Sequence, residues 1–273
     1  MDGGTADGRL TDTQRKLAAE EMVNALQAEA LRLPVAQADL PAECRSAQEA
    51  LSTAADAALN ALNAGLLLNR VDKLARGVNT RGGWREPAQD VLRSSLLYAC
   101  AGLDQGLKRL VQDALGPLIE RDAHVSARFE TWAQAAITHK GSGGVDPAQL
   151  VKLLLGQGRT PHEILVKRRV QSLTGSSAQS VPRVYEIADA LGAKSPEVVG
   201  HLPKQRDQAR LKLPFDARNE IIHELDLTVP RDGTRARLER KRRQRKWDDV
   251  VAWSDEALQV AQVIILDVAN RLR

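Results

Sequence analysis

The sequence predicts an all-α protein, and three features carry that prediction. Aromatic residues make up only 3% of the 273 positions. The apolar residues are dominated by Ala and Leu, which lose little side-chain freedom in a helix, whereas strands favour β-branched and aromatic side chains. Long segments repeat their apolar residues with helical spacing.

The first such segment runs from about Thr11 to Leu33, with Thr11 and Gln14 as a capping box and Pro34 as its stop. A longer one follows from about Pro41 to Arg76, with Leu51, Leu59, Leu62, Leu66 and Leu67. Together they predict an antiparallel helical hairpin. The stretch GVNTRGGWREP, from Gly77 to Pro87, breaks the period with three Gly and one Pro and predicts a domain boundary. The expected organisation is a helical extension over 1–80 and a helical domain over 85–273.

Within the second region a helix is expected from about Glu86 to Leu115, ended or kinked at Gly116-Pro117. Leu92, Leu96, Leu103, Leu107 and Leu110 form its stripe. Weaker helices are expected over about Val125–His139 and from Pro147 to Leu155. Thr160-Pro161-His162-Glu163 is a strong helix start, with Thr at the cap and Glu at the third position. Val181–Leu191 and Ser195–Leu202, joined by Gly192-Ala193-Lys194, have helix-turn-helix proportions and invite a DNA-binding reading. Phe215–Asp226 and Trp247–Leu272 complete the expected helices.

Charge is unevenly placed. From Arg231 to Lys246 nine Lys or Arg face two acids, a balance of +7, so the other 257 residues sum to −3 against the total of +4. The basic candidates there are Arg235, Arg237, Arg240, Lys241, Arg242, Arg243, Arg245 and Lys246. Such runs are often solvated and disordered. With no interleaved aromatics, this one would bind nucleic-acid backbone without reading bases. Cys44 and Cys100 are isolated thiols, which suits a reducing cytoplasm and burial. The start MDGGTADGRLTD lacks a signal pattern, and no uncharged apolar run spans a bilayer. The five His are scattered and GSGG at Gly141 lacks a P-loop lysine, so neither a metal site nor another cofactor is expected.

The helix FDARNEIIHELD remains. On a wheel of about 100° per residue, Phe215, Ile221, Ile222 and Leu225 form the apolar arc and Arg218 falls inside it. Asn219 and His223 share the adjoining flank. Either Arg218 pairs with a buried acid and His223 simply packs, or both line a cleft or subunit interface and meet an anion. If the helix begins after Pro214, Arg218 lies in the first turn, where free N–H groups favour phosphate.

The segment Arg218-Asn219-Glu220-Ile221-Ile222-His223 resembles the RNxxxH form of the R-x(4–6)-H signature of HEPN domains. LLYACAGLDQGLKRLVQDAL resembles that family's early long helix, and VYEIADALGAKSPEVVGHL its approach to the motif. The similarity is greatest to the RiboL-PSP-like subgroup and covers about Pro87 to Arg273; residues 1–80 have no counterpart. The resemblance implies a HEPN-type helical bundle, a homodimer with facing motifs, and metal-independent RNA cleavage to 2′,3′-cyclic phosphate and 5′-hydroxyl ends. It implies His223 as general acid–base, Arg218 as phosphate clamp, Asn219 as an orienting group and Asp104 as a cleft acid. An exposed Asp104 paired with Lys108 is the plainer alternative. A toxin or anti-phage defence role, with an antitoxin or defence partner, follows from the resemblance alone. The rival is a non-catalytic RNA-binding or assembly module on the same fold.

Overall fold

The computed structural model describes residues 39–76, 84–138, 160–203, 210–224 and 242–273, together with Val151, Leu155 and Asp226. The expected helix Thr11–Leu33, most of that over Pro147–Leu155, and Arg235, Arg237, Arg240 and Lys241 lie outside the described residues. Among the described residues there are eight helices and no strand, as the composition predicts. They are α1 (Ala42–Arg76), α2 (Glu86–Arg121), α3 (Ala123–Thr138), α4 (Pro161–Thr174), α5 (Val181–Ala190), α6 (Pro196–His201), α7 (Lys212–Glu224) and α8 (Trp247–Leu272). No helix among the described residues is long and apolar enough to cross a membrane.

The centre of the molecule is α2. Its stripe Leu92, Leu96, Leu103, Leu107 and Leu110 is fully buried, packed against α1 along one side and α8 along another. Each buried Leu contributes roughly 1.5–3 kcal/mol relative to exposure. The same core takes in Cys44, Ala47, Leu51 and Leu62 of α1 together with Leu258, Ile264 and Ile265 of α8. The expected domain boundary at residues 77–87 falls between two helices of one core: although the local sequence breaks helix there, α1 buries its apolar face together with α2 and α8.

Gly-Pro at 116–117 does not end α2, which carries Pro117 inside it and stops at Arg121. Asp122 then accepts from the N–H groups of His124 and Val125, capping α3. The start of α4 is the expected capping box, with Thr160 Oγ1 accepting from Glu163 N–H and Glu163 accepting from Thr160 N–H. Between α5 and α6, Gly192 has φ +72°. A Cβ there would also meet Val125 Cγ2 at 2.8 Å, so that turn requires glycine. The second member of the helix-turn-helix candidate, α6, has only six residues. It would be roughly 9 Å long, which gives it little length to read a groove.

Glycines of α2 set its distance from α1. A Cβ at Gly102 would lie 2.4 Å from Ala54 Cβ, whereas one at Gly106 would meet nothing closer than 3.5 Å. Gly102→Ala must push two helices apart and is expected to cost about 1–3 kcal/mol. Gly106→Ala fits and is expected to gain roughly 0.5–1 kcal/mol through the unfolded chain's lost freedom. Urea unfolding of the two variants checks the contrast; equal effects would contradict it.

Candidate functional site

The motif helix begins earlier than the sequence reading expects. α7 starts at Lys212, with Leu211 buried ahead of it and the Phe215 N–H bonded to the Leu211 carbonyl at 3.2 Å. Pro214 stands inside the first turn, where its missing N–H costs nothing. Arg218 is thus in the second turn, and the expected help from free N–H groups of the first turn does not reach it. The helix ends at Glu224. Asp226 follows in a left-handed conformation, φ 57°, with its N–H bonded to the Glu220 carbonyl six residues back at 2.9 Å.

A cleft of about 270 Å³ lies between α7 and the chain entering α5. Lys212, Phe215, Asp216 and Asn219 form one wall; Gln179, Ser180, Val181 and Pro182 form the other. Arg218 lies next to Asn219 and donates from Nη1 to Asn219 Oδ1 at 2.8 Å. Its side chain is half-buried, and no carboxylate among the described residues pairs with it. Burial pushes the Cys100 thiol up to about 12, against the opposing influence of the Arg218 guanidinium, which places that charge near the middle of α2.

His223 is exposed in the last turn of α7. Five residues separate it from Arg218, so the two side chains diverge by roughly 140° around the helix. Asn219 lines the cleft and bonds Arg218, which is not itself a lining residue; His223, four residues from Asn219, shares the flank of α7 that Asn219 occupies.

Asp104 is not a cleft acid. It is 7% exposed, its Oδ1 accepts from the Ala178 N–H at 2.6 Å, and its Oδ2 pairs with Lys108 Nζ at 2.9 Å. Both oxygens are occupied, and the side chain fixes the loop that forms the second cleft wall. Gln179 helps by donating to the Cys100 carbonyl at 3.2 Å. Asp104 positions the cleft without facing it.

The basic run also needs correction. Arg245 is 7% exposed, with Nη2 at 2.5 Å from Asp226 Oδ1 and 2.6 Å from Glu220 Oε2. Arg243 pairs with Glu220 at 2.6 Å and Arg242 with Asp90 at 2.5 Å. Arg245 is held by carboxylates inside the fold, because a buried charge without a partner is costly; Arg242 and Arg243 pair at the surface, with 33% and 46% of their side chains exposed. Lys246 is exposed at the cap of α8.

Their hub is a pair the sequence reading missed. Arg93 of α2 is buried, donates from Nε to Asp226 Oδ2 at 2.8 Å and from Nη2 to the Arg243 carbonyl at 2.8 Å, and meets Asp90 at 2.9 Å. Gln89 adds two bonds to the Arg245 backbone, at 3.0 and 2.9 Å. Burial opposes ionisation of Asp226, but hydrogen bonds and charge from Arg245 and Arg93 prevail and hold its carboxyl below the usual range. The signal was available. On a wheel Arg93 falls about 20° from Cys100 and 40° from Leu107, inside the apolar side of its helix; the reasoning applied to Arg218 finds it too.

Among the described residues no group of three or more His, Cys, Asp or Glu side chains is placed to hold a metal ion. No protein-family model, curated protein or solved structure matches the chain.

Proposed function

We propose that the protein is a metal-independent endoribonuclease of the HEPN type, acting as a homodimer. The observation that supports it most is Arg218: a half-buried guanidinium without a carboxylate partner among the described residues, bonded to the cleft-lining Asn219 and on the same helix as an exposed histidine. Such a cation is suited to an incoming anion, and a planar guanidinium meets a phosphate with two parallel hydrogen bonds. Since Arg218 and His223 diverge around α7, the reading requires a second copy to bring a histidine to the phosphate held by the first.

In this reading Arg218 clamps the scissile phosphate and offsets charge building on it. His223 moves the proton between the ribose 2′-hydroxyl and the leaving 5′-oxygen, and Asn219 orients Arg218 through the bond already described. Lys212 on the cleft wall is paired with Asp216 at 2.5 Å, so the charge that attracts RNA backbone is that of Lys246 and the basic residues of 231–241. A toxin or anti-phage defence role, restrained by an antitoxin or defence partner, is the biological form the proposal takes.

The deciding measurement is cleavage of end-labelled RNA by the purified protein in EDTA. Products ending in 2′,3′-cyclic phosphate and 5′-hydroxyl, absent with both His223→Ala and Arg218→Ala, are the expected result. RNA binding without cleavage, indifferent to His223→Ala, would favour the non-catalytic module and overturn the enzyme.

A further inference from the structure

A second cavity, of about 300 Å³, shares no residue with the motif cleft. It is bounded by Leu115 of α2, Arg128, Phe129 and Trp132 of α3, Arg169 of α4 and Asp189 of α5. Aromatic side chains are scarce in this chain, four Trp, two Tyr and two Phe, yet a Phe and a Trp meet here. Their rings stack at 5.9 Å between centroids and 27° between planes. The Arg169 guanidinium lies over the Trp132 ring at 5.1 Å.

The charges around this cavity do not balance. Arg128 pairs with Asp189 at 2.9 Å, but the Asp189 side chain is 64% exposed. Arg169, 14% exposed, reaches Glu186 only at 3.4 Å, and Arg183 holds the other Glu186 oxygen at 2.5 Å. Among the described residues three guanidiniums thus share two carboxylates, and the buried Nε of Arg183 has no hydrogen-bond partner among them. Burial pulls the Arg169 pKa down, and the charge of Glu186 does not fully restore it. A desolvated, weakly paired cation beside apolar walls is the setting in which an anion with a flat apolar body binds best. The size sits at the small end of the roughly 300–1,000 Å³ of ligand pockets, which suits one nucleotide better than a polymer segment.

We propose that this cavity binds a single nucleotide, with its base against the Trp132–Arg169 stack and its phosphate on Arg128 and Arg169. Bases stack on aromatic rings and on arginine planes alike, and a guanidinium offers its face to the ring and its edge to a phosphate. The nucleotide is either free or the 5′-phosphorylated end of an RNA strand. The proposal does not depend on the ribonuclease reading, because it uses no residue of the motif helix.

Calorimetric titration of the full chain tests it, using AMP, adenosine, inorganic phosphate, and an RNA octamer with and without a 5′-phosphate. AMP or the 5′-phosphorylated octamer is expected to bind one per chain. Trp132→Leu and Arg169→Gln are each expected to weaken that binding at least tenfold, with Arg128→Gln weakening it as well. Binding of AMP identifies a free nucleotide, and binding only of the phosphorylated octamer identifies a strand end; both support the site. Inorganic phosphate binding as tightly as AMP would reduce the cavity to a bare anion site and overturn the proposal. So would affinities unchanged in the two arginine variants, which decide the matter if Trp132→Leu fails to fold, or no binding by any probe.

Discussion

Asp226→Ala is expected to remove about 3 kcal/mol of folding stability, the low end for breaking a buried ion pair, because Arg93 keeps Asp90 and Arg245 keeps Glu220. Asp226 is 1% exposed and is the only described carboxylate that joins Arg93 to Arg245. Without it, two guanidiniums with 2% and 6% of their side-chain surface exposed lose their shared charge in a poorly solvated site. Glu220, with 30% of its side chain exposed, is partly screened by solvent, so Glu220→Gln should cost clearly less. Urea unfolding at neutral pH measures both, and an Asp226→Ala protein as stable as the parent would contradict the network's role.

The same carboxylate carries a pH dependence whose sign follows from its lowered folded-state pKa. The contribution is fully present above the unfolded value, about 3.9, and is lost as pH falls through the lower folded value. The stability advantage of the parent over Asp226→Asn is therefore expected to be constant above about pH 5 and to shrink below about pH 4. An advantage that grew with acidification would reverse the assignment.

On the proposed ribonuclease reading, His223→Ala is expected to lower the RNA-cleavage rate by about 10²–10⁴-fold, the usual contribution of a general acid–base. Arg218→Ala should cost a further-reaching loss in the same assay, about 10²–10³-fold through transition-state charge alone, with weaker substrate binding added. Arg218→Lys is expected to recover little of it, since an ammonium replaces the two-pronged guanidinium contact with a point charge. The double variant should be no slower than the worse single one, because groups that act on one phosphate fail together. Neither side chain is in the core, so the melting temperatures should move little. A rate loss that tracks a fall in melting temperature would instead mark a folding defect.

How legible these features are in the sequence depends on whether their cause is local. Thr160 and Glu163 announce the start of α4 because a capping box is made by residues three apart. The stripe from Leu92 to Leu110 announces the buried face of α2, since a 3.6-residue period needs no partner to be seen. Gly77–Pro87 breaks the helical period as read, but a break in period does not say whether the flanking helices share a core, and here they do. Gly116-Pro117 marks a stop or a kink in the sequence; the helix does not stop there but runs on to Arg121, with Leu118 and Ile119 buried.

The basic run shows the same limit more sharply. As sequence, nine cations over 231–246 look like one patch. In the fold, Arg245 turns inward to Asp226 and Glu220, while Arg242 and Arg243 stay partly exposed in ion pairs with Asp90 and Glu220. No rule of spacing links Arg93 to a carboxylate 133 residues away.

The residue order alone determined that this chain folds as helices, where most of them begin and end, and which faces are apolar, because propensity, capping and periodicity act over a few residues. Tertiary structure decided what the charged residues do. It sent Asp104 to brace a loop, closed Arg93, Asp226 and Arg245 into a buried network, and left Arg218 half-buried against Asn219 without a carboxylate partner among the described residues. A charge takes its role from whichever opposite charge the packed core brings within about 3–4 Å, and that neighbour is chosen by the assembled helices.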